Sequence, residues 1–294
     1  MKSIRLPAFA KVNPCLYVLG RRADGYHELR TIFQTIGLHD VLEMSLARRP
    51  KVQLECDDPA LPTGRENLVW RAVVAARRAL GLRAGVSVRL EKRIPVGRGL
   101  GGGSSDAAVA LAGVERLAGR ELAPEERFRI AAELGSDVPF FLWGGRAAGV
   151  GRGEEIYPLP DGAKRTVVVV SPAGIAVSTR EAYGWLRASA LTTPGSARKL
   201  RSFCALSWSG QGIHLENDFE APVFRRHPRL ARIKRALLRH GAAGVALAGS
   251  GSAVFGVFPS PAQARRAAMQ FPDDQVFITE TVSREEYRRA MSGR

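Results

Sequence analysis

Long apolar runs and paired cysteines are both missing from this chain, and each absence excludes a class of protein. No apolar run approaches the roughly 20 residues that a membrane helix needs, so we expect no membrane span. The cysteines are odd in number, widely spaced and without a CxxC pair, which is typical of reduced packing thiols in a cytosolic protein: Cys15, Cys56 and Cys204. The first residues lead directly into a strand pattern, so we predict no signal peptide and a cytoplasmic location.

Lysine is scarce although the chain is strongly basic. The net charge is +16, from 44 lysine and arginine residues against 28 acidic ones, and only seven of the basic residues are lysine. The arginines are scattered over every predicted helix instead of forming one tract, and no nucleic-acid motif accompanies them. We therefore attribute the charge to arginine-rich coding and expect no nucleic-acid partner, although a basic surface would attract polyanionic substrates.

The length of 294 residues exceeds the size at which a single core stops growing, so we expect two domains, over residues 1–160 and 161–294. Strand patterns cover 4–10, 29–38, 40–46, 52–56 and 86–94, with a break or a sheet edge at Pro14 because proline cannot donate to a ladder. Helical patterns cover 67–80, 124–134, 228–240 and 261–271. The second domain begins at an apolar strand over 167–170, residues 194–212 read as irregular, and strands follow within 244–255 and over 275–279.

A glycine-rich stretch at residues 95–108, PVGRGLGGGSSDAA, organises the chain. A strand pattern precedes it and a helical pattern that ends at Gly119 follows it, so we expect the helix to begin near Ser104 and Ser105. The free N–H groups of that first turn and the positive end of the helix dipole favour an anion. Because glycines have no Cβ, the backbone can wrap closely around the anion, which predicts a phosphate-binding loop.

Three known glycine loops do not fit this stretch. Walker A requires a lysine before its Ser or Thr, and Gly103 stands in that place. The spacing of Gly97, Gly99 and Gly102 matches the pattern GxGxxG, yet a second helical pattern follows where a Rossmann unit needs a parallel strand. The protein-kinase loop requires VAIK, HRD and DFG partners, and none of these occurs in the sequence.

The loop resembles the phosphate-binding motif of the GHMP kinases, and the resemblance extends over essentially the whole chain. It implies an α+β protein with the two-domain GHMP kinase fold, in which the N-terminal domain is ribosomal-protein-S5-domain-2-like and the C-terminal domain is ferredoxin-like. It also implies ATP and Mg²⁺ as cofactors, with Ser104 or Ser105 as a candidate ligand of the metal. The loop residues that it assigns to ATP are Pro95, Val96, Gly97, Arg98, Gly99, Leu100, Gly101, Gly102, Gly103, Ser104 and Ser105.

The second informative stretch is a predicted β-hairpin near the N-terminus, whose tip carries the turn signal Asp24-Gly25. Its pattern K-V-N-x-x-L-x-V-x-G-R-R-x-D-G-Y-H-x-L-x-T is similar to that of the GHMP kinases that phosphorylate a cytidylyl alcohol of the non-mevalonate isoprenoid pathway. The resemblance implies that Tyr26 and Tyr183 sandwich the cytosine and that His27 bonds its edge. It also assigns further residues to the substrate site: Asn13, Gly249, Ser250 and Gly251.

Asp137 lies in the segment GSDVP at 135–139, where the resembled family has its catalytic aspartate. The alternative is a turn before Pro139, which Asp-x-Pro sequences often form. A kinase that acts on a hydroxyl needs a carboxylate to accept the proton of its substrate. A carboxylate beside Val138 and Phe140 would be costly without a cation, for which Lys11 is the natural partner. We therefore predict Lys11 and Asp137 as the catalytic pair.

Three further segments have both a local and a family interpretation. Asn67 suits the N-cap of the helix at 67–80, whereas the family places the corresponding asparagine close to the nucleotide. Ser178 or Thr179 suits the cap of a following helix, whereas the resemblance places Thr179 at the nucleotide. Residues 214–218 resemble the family segment N-D-[FL]-E, and their local interpretation is a helix start.

Two loop residues depart from the family pattern. Arg98 replaces the usual alanine or glycine, and it either adds charge-assisted bonds to the phosphates or is solvated. Asp106 replaces a frequent asparagine, and its charge suits the helix dipole but would repel a triphosphate. We expect Asp106 to point away from the phosphates or to help hold Mg²⁺ through water.

Taken together, these features predict an ATP:alcohol phosphotransferase. Asp137 accepts the proton of the alcohol, and Lys11 stabilises the developing alkoxide. One alternative is a GHMP kinase for another small alcohol, of the mevalonate or homoserine type, which the segment GRRADGYH argues against. The other is a basic RNA-binding α+β protein, because the N-terminal GHMP fold is shared with ribosomal and translation-factor domains.

Overall fold

Two β-sheets with helices packed on them make up residues 3–186, 194–209 and 215–292, the parts of the chain that the computed structural model describes. The strands of the first sheet are β1 (Ser3–Arg21), β2 (His27–Ala47), β3 (Val52–Cys56), β4 (Gly85–Glu91), β5 (Arg146–Val150), β6 (Glu155–Pro158) and β8 (Glu216–Asn217). Their order is β3-β4-β2-β1-β8, with β5 beside β2 and β6 beside β5.

Three helices share one hydrophobic core with this sheet: α1 (Leu68–Ala79), α2 (Gly102–Ala118) and α3 (Pro124–Leu134). Asn67 caps α1 by accepting a hydrogen bond from the Val69 N–H at 2.9 Å, as its sequence position predicts. Gly119 ends α2 in the left-handed conformation that favours glycine. A 3-10 turn, Pro139–Leu142, follows α3 and buries Phe140 and Phe141 in the same core.

The hairpin of β1 and β2 is longer and more continuous than predicted. β1 does not break at Pro14, because the register between the strands shifts between Val12 and Cys15, so the proline falls where no ladder bond is required of it. The strands predicted at 29–38 and 40–46 are a single strand, β2, which stays paired across a second shift between Phe9 and Ala10 of β1. These irregularities bend the hairpin without ending it.

The second sheet is antiparallel, in the order β11-β7-β10-β9. Its strands are β7 (Thr166–Ser171), β9 (Gly244–Leu247), β10 (Val254–Phe258) and β11 (Gln275–Glu280). The helices of this half are α4 (Thr179–Gly184), α5 (Pro194–Ser209), α6 (Glu220–Arg226), α7 (Pro228–Arg239), α8 (Pro261–Ala268) and α9 (Arg284–Ser292). The predicted strands over 167–170 and 275–279 and the helices at 228–240 and 261–271 are all present.

β7 brings the two halves together. Val168 and Val170 face a core with α7 and α8, whereas Val167 and Val169 face residues of the first half, including Ile94 and Leu100. Both faces of this strand are therefore buried, as its unbroken apolar run indicates. The packing places the turn between β9 and β10 against the glycine loop that precedes α2.

Residues 194–209 correct one prediction. They form helix α5 and not an irregular stretch, and Phe203 and Leu206 pack with Tyr17 and Ile32 of the first sheet; residues 210–212 lie outside the described part of the chain. The glycine-rich region after residue 144 holds β5, which was not predicted either. Both elements depend on contacts with the distant β1–β2 hairpin, and so their own sequence indicates them only weakly.

The change from the first sheet to the second falls between β6 and β7, near the boundary proposed at 160/161. β8 nevertheless pairs with β1 and α5 packs on the first sheet, so the C-terminal half contributes to both sheets, and the domain division stays a proposal. Within the described ranges, every helix is too short or too polar to span a bilayer.

Candidate active site

A cavity of about 920 Å³ opens between the two halves of the protein. Residues 95–104 of the glycine loop form one wall. Most of the other residues predicted for the site also line the cavity, namely Lys11, Asn13, Tyr26, His27, Asn67, Asp137, Thr179, Tyr183, Gly249 and Ser250. Ser105 and Gly251 are the two predicted residues that do not. Segments more than 200 residues apart in sequence therefore meet at one place.

The glycine loop follows β4 and takes its shape from alternating glycines. Gly97, Gly99 and Gly101 have φ of 68°, 78° and 74°, a region that residues with a side chain rarely adopt. Helix α2 begins at Gly102, two residues before the predicted start, and Gly101 at its N-cap offers no side chain to the first turn. The N–H groups of that turn are therefore left for a ligand, and the positive end of the helix dipole favours an anionic one.

The two serines that begin the helical pattern have different surroundings. Ser104 lines the cavity. Ser105 is fully buried, and its hydroxyl has no hydrogen-bond partner among the described residues. Of the two serines considered as ligands of Mg²⁺, Ser104 is therefore the one at the cavity wall.

Lys11 and Asp137 meet in the cavity, as predicted from their sequence contexts. Nζ of Lys11 lies 3.3 Å from Oδ2 of Asp137 and donates a 2.7 Å hydrogen bond to Oδ1 of Asn13. The Asn13 amide in turn donates to the Thr31 hydroxyl at 2.9 Å. The Lys11 side chain is 4% exposed, whereas that of Asp137 is 34% exposed, so the carboxylate is less buried than its apolar neighbours in the sequence suggest. The ammonium group is held in place, and the carboxylate remains open to a ligand.

Asp106 is almost fully buried at the wall of the cavity, where it lies beside Lys92. Nζ of Lys92 lies 2.8 Å from Oδ2 of Asp106 and 2.5 Å from Oδ2 of Asp40. Burial, which outweighs the attraction of Lys92, raises the pKa of Asp106 from 3.8 to about 8. Although burial lowers the pKa of Lys92, the two carboxylates raise it further than burial lowers it. Asp40 also accepts backbone N–H bonds from Arg93 and Ile94, which fixes the chain where it enters the loop.

Arg98 lines the cavity and is partly buried, and it also bonds a distant segment of the protein. Its Nη1 donates a 2.8 Å hydrogen bond to the hydroxyl of Ser252, in the turn between β9 and β10. Burial lowers the pKa of Arg98. The backbones of the two glycine segments also touch, since a Cβ on Gly99 would lie 1.9 Å from the carbonyl oxygen of Ala248. The turn between β9 and β10 therefore packs directly against the backbone of the glycine loop.

At the other end of the cavity the aromatic residues pair differently from a Tyr26–Tyr183 sandwich. The rings of His27 and Tyr183 stack with centroids 4.7 Å apart and planes 27° apart. Tyr26 is 54% exposed, and the guanidinium of Arg152 lies 4.8 Å from its ring centroid. Burial, and then the positive charge of Arg21, lower the pKa of His27, so its imidazole is neutral at pH 7. Burial, and then the Asp137 carboxylate, raise the pKa of the Tyr183 hydroxyl.

The remaining predicted residues make local bonds as well. The Asn67 amide donates to the Pro62 carbonyl at 2.7 Å while its oxygen caps α1, so both of its polar groups are used within the fold. Ser178 caps α4 in a capping box with Glu181, and the hydroxyl of Thr179 lies 3.2 Å from that of Ser250. Of residues 214–218, His214 lies outside the described part of the chain, and Glu216 and Asn217 form β8 before α6 begins.

Sequence reasoning missed three cations that line the cavity, Lys92, Arg152 and Arg180. Lys92 is one of only seven lysines, and it lies just before the loop. The rarity of lysine could therefore have marked Lys92 as a candidate site residue. Arg152 lies in a glycine-rich segment, 126 residues from Tyr26, which it contacts, and its sequence context carries no such signal.

Both halves of the chain match known proteins. Residues 67–145 match the model of the GHMP kinases N terminal domain, and residues 196–274 match that of the GHMP kinases C terminal region. The chain is 47% identical to a protein of Solibacter usitatus named 4-diphosphocytidyl-2-C-methyl-D-erythritol kinase, over 98% of this chain and 92% of that protein. A protein of the same name from Moorella thermoacetica is 41% identical over 96% of this chain and 100% of its own.

Solved structures give the same result. The crystal structure of a 4-(cytidine 5'-diphospho)-2C-methyl-D-erythritol kinase superposes with a TM-score of 0.79 at 37% identity, covering 95% of this chain and 99% of that one. A homoserine kinase from Cytophaga hutchinsonii has a TM-score of 0.75 at 18% identity, covering 96% and 95%, which shows a shared fold alone. With full-length relatives above 40% identity and family matches in both halves, the chain belongs to the GHMP kinase family, together with the relatives named 4-diphosphocytidyl-2-C-methyl-D-erythritol kinase.

Proposed function

We propose that the protein transfers the γ-phosphoryl group of ATP to the 2-hydroxyl of 4-diphosphocytidyl-2-C-methyl-D-erythritol and gives the 2-phosphate. This reaction belongs to the non-mevalonate, or methylerythritol phosphate, pathway to isopentenyl diphosphate. The names and the full-length coverage of the relatives support the substrate. We further propose that the protein works in the cytoplasm, on a small molecule and not on a nucleic acid.

One observation carries the proposal: the Lys11–Asp137 pair lies in the same cavity as the glycine loop and the His27–Tyr183 stack. A phosphoryl transfer needs the donor phosphate and the acceptor hydroxyl held next to each other. The loop and the first turn of α2 suit a triphosphate, and the exposed ring of Tyr26 beside the His27–Tyr183 stack offers a flat surface for a base. The same cavity contains the Asp137 carboxylate, which can accept the proton of the alcohol, and the Lys11 ammonium group, which can stabilise the developing negative charge.

In the proposed reaction the alcohol oxygen attacks the γ-phosphorus while its proton passes to the Asp137 carboxylate. The bond between the γ-phosphorus and the bridging oxygen breaks, and ADP leaves. Lys11, which is held by Asn13 and Asp137, stabilises the negative charge that develops on the alcohol oxygen and on the transferred phosphoryl group. Because Lys11 is almost fully buried, its charge is weakly screened by solvent.

GHMP kinases use ATP as the phosphate donor, and we assign the triphosphate to residues 95–105. Mg²⁺ prefers oxygen ligands and is usually held by one or two protein groups together with substrate phosphates. The Ser104 hydroxyl, on the cavity side of the first turn of α2, fits that requirement. We propose that Ser104 holds the ion, which would supply positive charge to the phosphates. The nucleotide roles of Asn67 and Thr179 stay proposals of the same kind.

For the cytidylyl group we propose a site made by Tyr26, His27 and Tyr183. A neutral imidazole can both donate and accept a hydrogen bond, which suits the edge of a cytosine. Since His27 already covers one face of Tyr183, Tyr26 is the ring with an exposed face for stacking. The remaining residues proposed for the substrate site are Asn13, Gly249, Ser250 and Gly251.

Two other functions are less well supported. A kinase for mevalonate or homoserine would share the fold, as the solved structures at 18% identity or less illustrate, but a small alcohol needs no aromatic surface beside its hydroxyl. An RNA-binding protein would not need a buried lysine paired with a carboxylate inside a cavity of about 920 Å³.

The test is to incubate the protein with ATP and Mg²⁺ and with a panel of alcohols, and to identify the product by ³¹P NMR. We expect a new phosphomonoester only with 4-diphosphocytidyl-2-C-methyl-D-erythritol, and none with mevalonate or homoserine. Asp137→Asn serves as the matched negative control. Equal turnover of a methylerythritol derivative without the cytidine group would contradict the proposed substrate.

A further inference from the structure

The side chain of Arg98 joins three segments that lie far apart in the sequence. Its Nη1 donates to the Ser252 hydroxyl at 2.8 Å, and that hydroxyl donates to the Ile175 carbonyl at 2.6 Å. Arg98 belongs to the glycine loop, Ser252 to the turn between β9 and β10, and Ile175 to the connection that leads from β7 into α4. A continuous line of hydrogen bonds therefore runs from the proposed phosphate loop to the segment that precedes the aromatic stack.

The backbones along this line are in direct contact, so the side-chain bonds are not isolated. The Ala253 N–H donates to the Arg98 carbonyl at 3.2 Å. Gly99 and Gly249 approach so closely that a Cβ on Gly249 would lie 2.9 Å from the Gly99 carbonyl oxygen. The same added Cβ would lie 3.1 Å from Nζ of Lys11, so the contact borders the proposed reacting centre.

The far end of the line carries the residues proposed for the cytidylyl group. α4 begins four residues after Ile175, and it carries Thr179, whose hydroxyl lies 3.2 Å from that of Ser250, and Tyr183, which stacks on His27. Ser252 is fully buried, so its hydroxyl has fixed partners and no competing solvent. The position of α4 relative to the glycine loop is thus set through the turn that contains Ser250 and Ser252.

We infer that Arg98 is a positioning residue, which sets the distance between the phosphate donor and the acceptor alcohol by fixing the glycine loop to the segment before α4. This inference rests on the proposed function, because it assigns the two ligands to the two ends of the line. Its physical basis is that phosphoryl transfer depends on near-contact of the reacting atoms, so a small displacement of one wall slows the chemical step without weakening the binding of either ligand.

A direct contact between Arg98 and the phosphates makes a different prediction, since the guanidinium would then act independently of Ser252. Two variants separate the two roles. Arg98→Met keeps an unbranched side chain that reaches about as far as Nε of the arginine and removes the donors, and Ser252→Ala removes only the hydroxyl that receives the bond. Both variants and the double variant are assayed for kcat and for the KM of ATP and of the cytidylyl alcohol, next to the wild type.

We expect each single variant to lower kcat by about 10- to 100-fold with both KM values within about threefold of the wild type. The double variant should be no slower than the slower single variant, because both changes break the same connection. A raised KM for ATP in Arg98→Met together with wild-type behaviour of Ser252→Ala would overturn the inference and make Arg98 a phosphate ligand. Wild-type kcat in both variants would also overturn it.

Folding of each variant is checked by its melting temperature. If Ser252→Ala does not fold, Arg98→Met alone distinguishes the two roles of Arg98. A lowered kcat with an unchanged KM for ATP supports the positioning role. A raised KM for ATP contradicts it. If the wild type phosphorylates a different alcohol, the proposed substrate fails, and the same comparison is made with the alcohol that it does phosphorylate. The two failures are therefore distinguishable.

Discussion

Nζ of Lys92 lies 2.8 Å from Oδ2 of Asp106 beneath the glycine loop, and both side chains are almost completely buried. Lys92 also pairs with Asp40, so one ammonium group faces two carboxylates. A buried carboxyl group whose negative charge is not fully compensated favours its protonated, neutral form. Burial therefore raises the pKa of Asp106. This arrangement makes the stability of the protein depend on pH in a direction unusual for an aspartate.

The first prediction concerns that dependence. The pKa of Asp106 is about 8 in the folded protein, against 3.8 as its ordinary value, so between these values the folded state keeps a proton that the unfolded state has lost. The contribution of Asp106 to stability therefore falls as pH rises from about 4 to 8, by at most about 1.4 kcal/mol per pH unit. Asp106→Asn removes this loss. We expect the melting temperature of the variant, relative to the wild type, to increase from pH 5 to pH 8.

A matched control for this experiment is Asp273→Asn, at an exposed aspartate in the turn that precedes β11. Its melting temperature should follow that of the wild type across the same pH range. A constant difference between Asp106→Asn and the wild type at all pH values would contradict the assignment of the proton to Asp106.

The second prediction concerns the Lys11–Asp137 pair. Asp137→Asn keeps the size of the side chain and removes the proton acceptor, and Lys11→Met keeps most of the buried volume and removes the charge. Each should lower kcat by about 10²- to 10⁴-fold with little change in the affinity for ATP. Binding of a non-hydrolysable ATP analogue, measured by calorimetry, provides the control. Near-normal turnover of Asp137→Asn would remove its assignment as the base.

The third prediction compares two glycines of the loop. An added Cβ at Gly99 would overlap the Ala248 carbonyl oxygen, whereas one at Gly97 would meet no atom within 4 Å, and both residues have positive φ. Gly97→Ala carries only the backbone strain, of about 1–2 kcal/mol. Gly99→Ala must also separate the two glycine segments. We expect Gly99→Ala to lose ATP binding far more than Gly97→Ala, as measured by calorimetry at a temperature where both variants are folded.

Gly101 extends the comparison to the reacting centre. A Cβ there would lie 3.0 Å from Cγ of Lys11 and 2.9 Å from the Phe141 ring, so Gly101→Val would displace the proposed catalytic lysine as well as the loop. Gly103→Ala is the permissive control, because its Cβ would meet only Leu68 at 3.8 Å. Unchanged ATP binding in folded Gly101→Val would mean that the loop does not hold the phosphates.

The fourth prediction concerns the cytidylyl end of the cavity. Tyr26→Ala removes an exposed stacking surface, and His27→Ala removes a neutral imidazole and uncovers Tyr183. Each should raise the KM for the cytidylyl alcohol by about 10- to 100-fold, which corresponds to about 1.4–2.8 kcal/mol. The KM for ATP should stay within about twofold, because the nucleotide lies on the other side of the transferred phosphate. A parallel rise in both KM values would point to a general disturbance of the hairpin.

Much of the local structure follows from short segments of the sequence. The glycine loop at a strand-to-helix junction, the cap at Asn67 and the end of α2 at Gly119 are each determined by residues close in the chain. They are predictable because the conformational freedom of glycine and the hydrogen-bonding groups of Asn act within one turn of backbone. The pairing of Lys11 with Asp137 was also predicted from the apolar segment around the carboxylate, although in the structure the lysine is the more deeply buried partner.

The tertiary structure decided what depends on residues far apart in sequence. Pro14 is tolerated within β1 because a register shift opposite β2 spares its missing N–H. Tyr183 stacks on His27, Arg98 bonds Ser252, and Asp106 lies beside Lys92. Each of these side chains has several chemically suitable partners in the sequence. The selection comes from packing, because the two sheets meet across β7 and bring only certain pairs within hydrogen-bond distance.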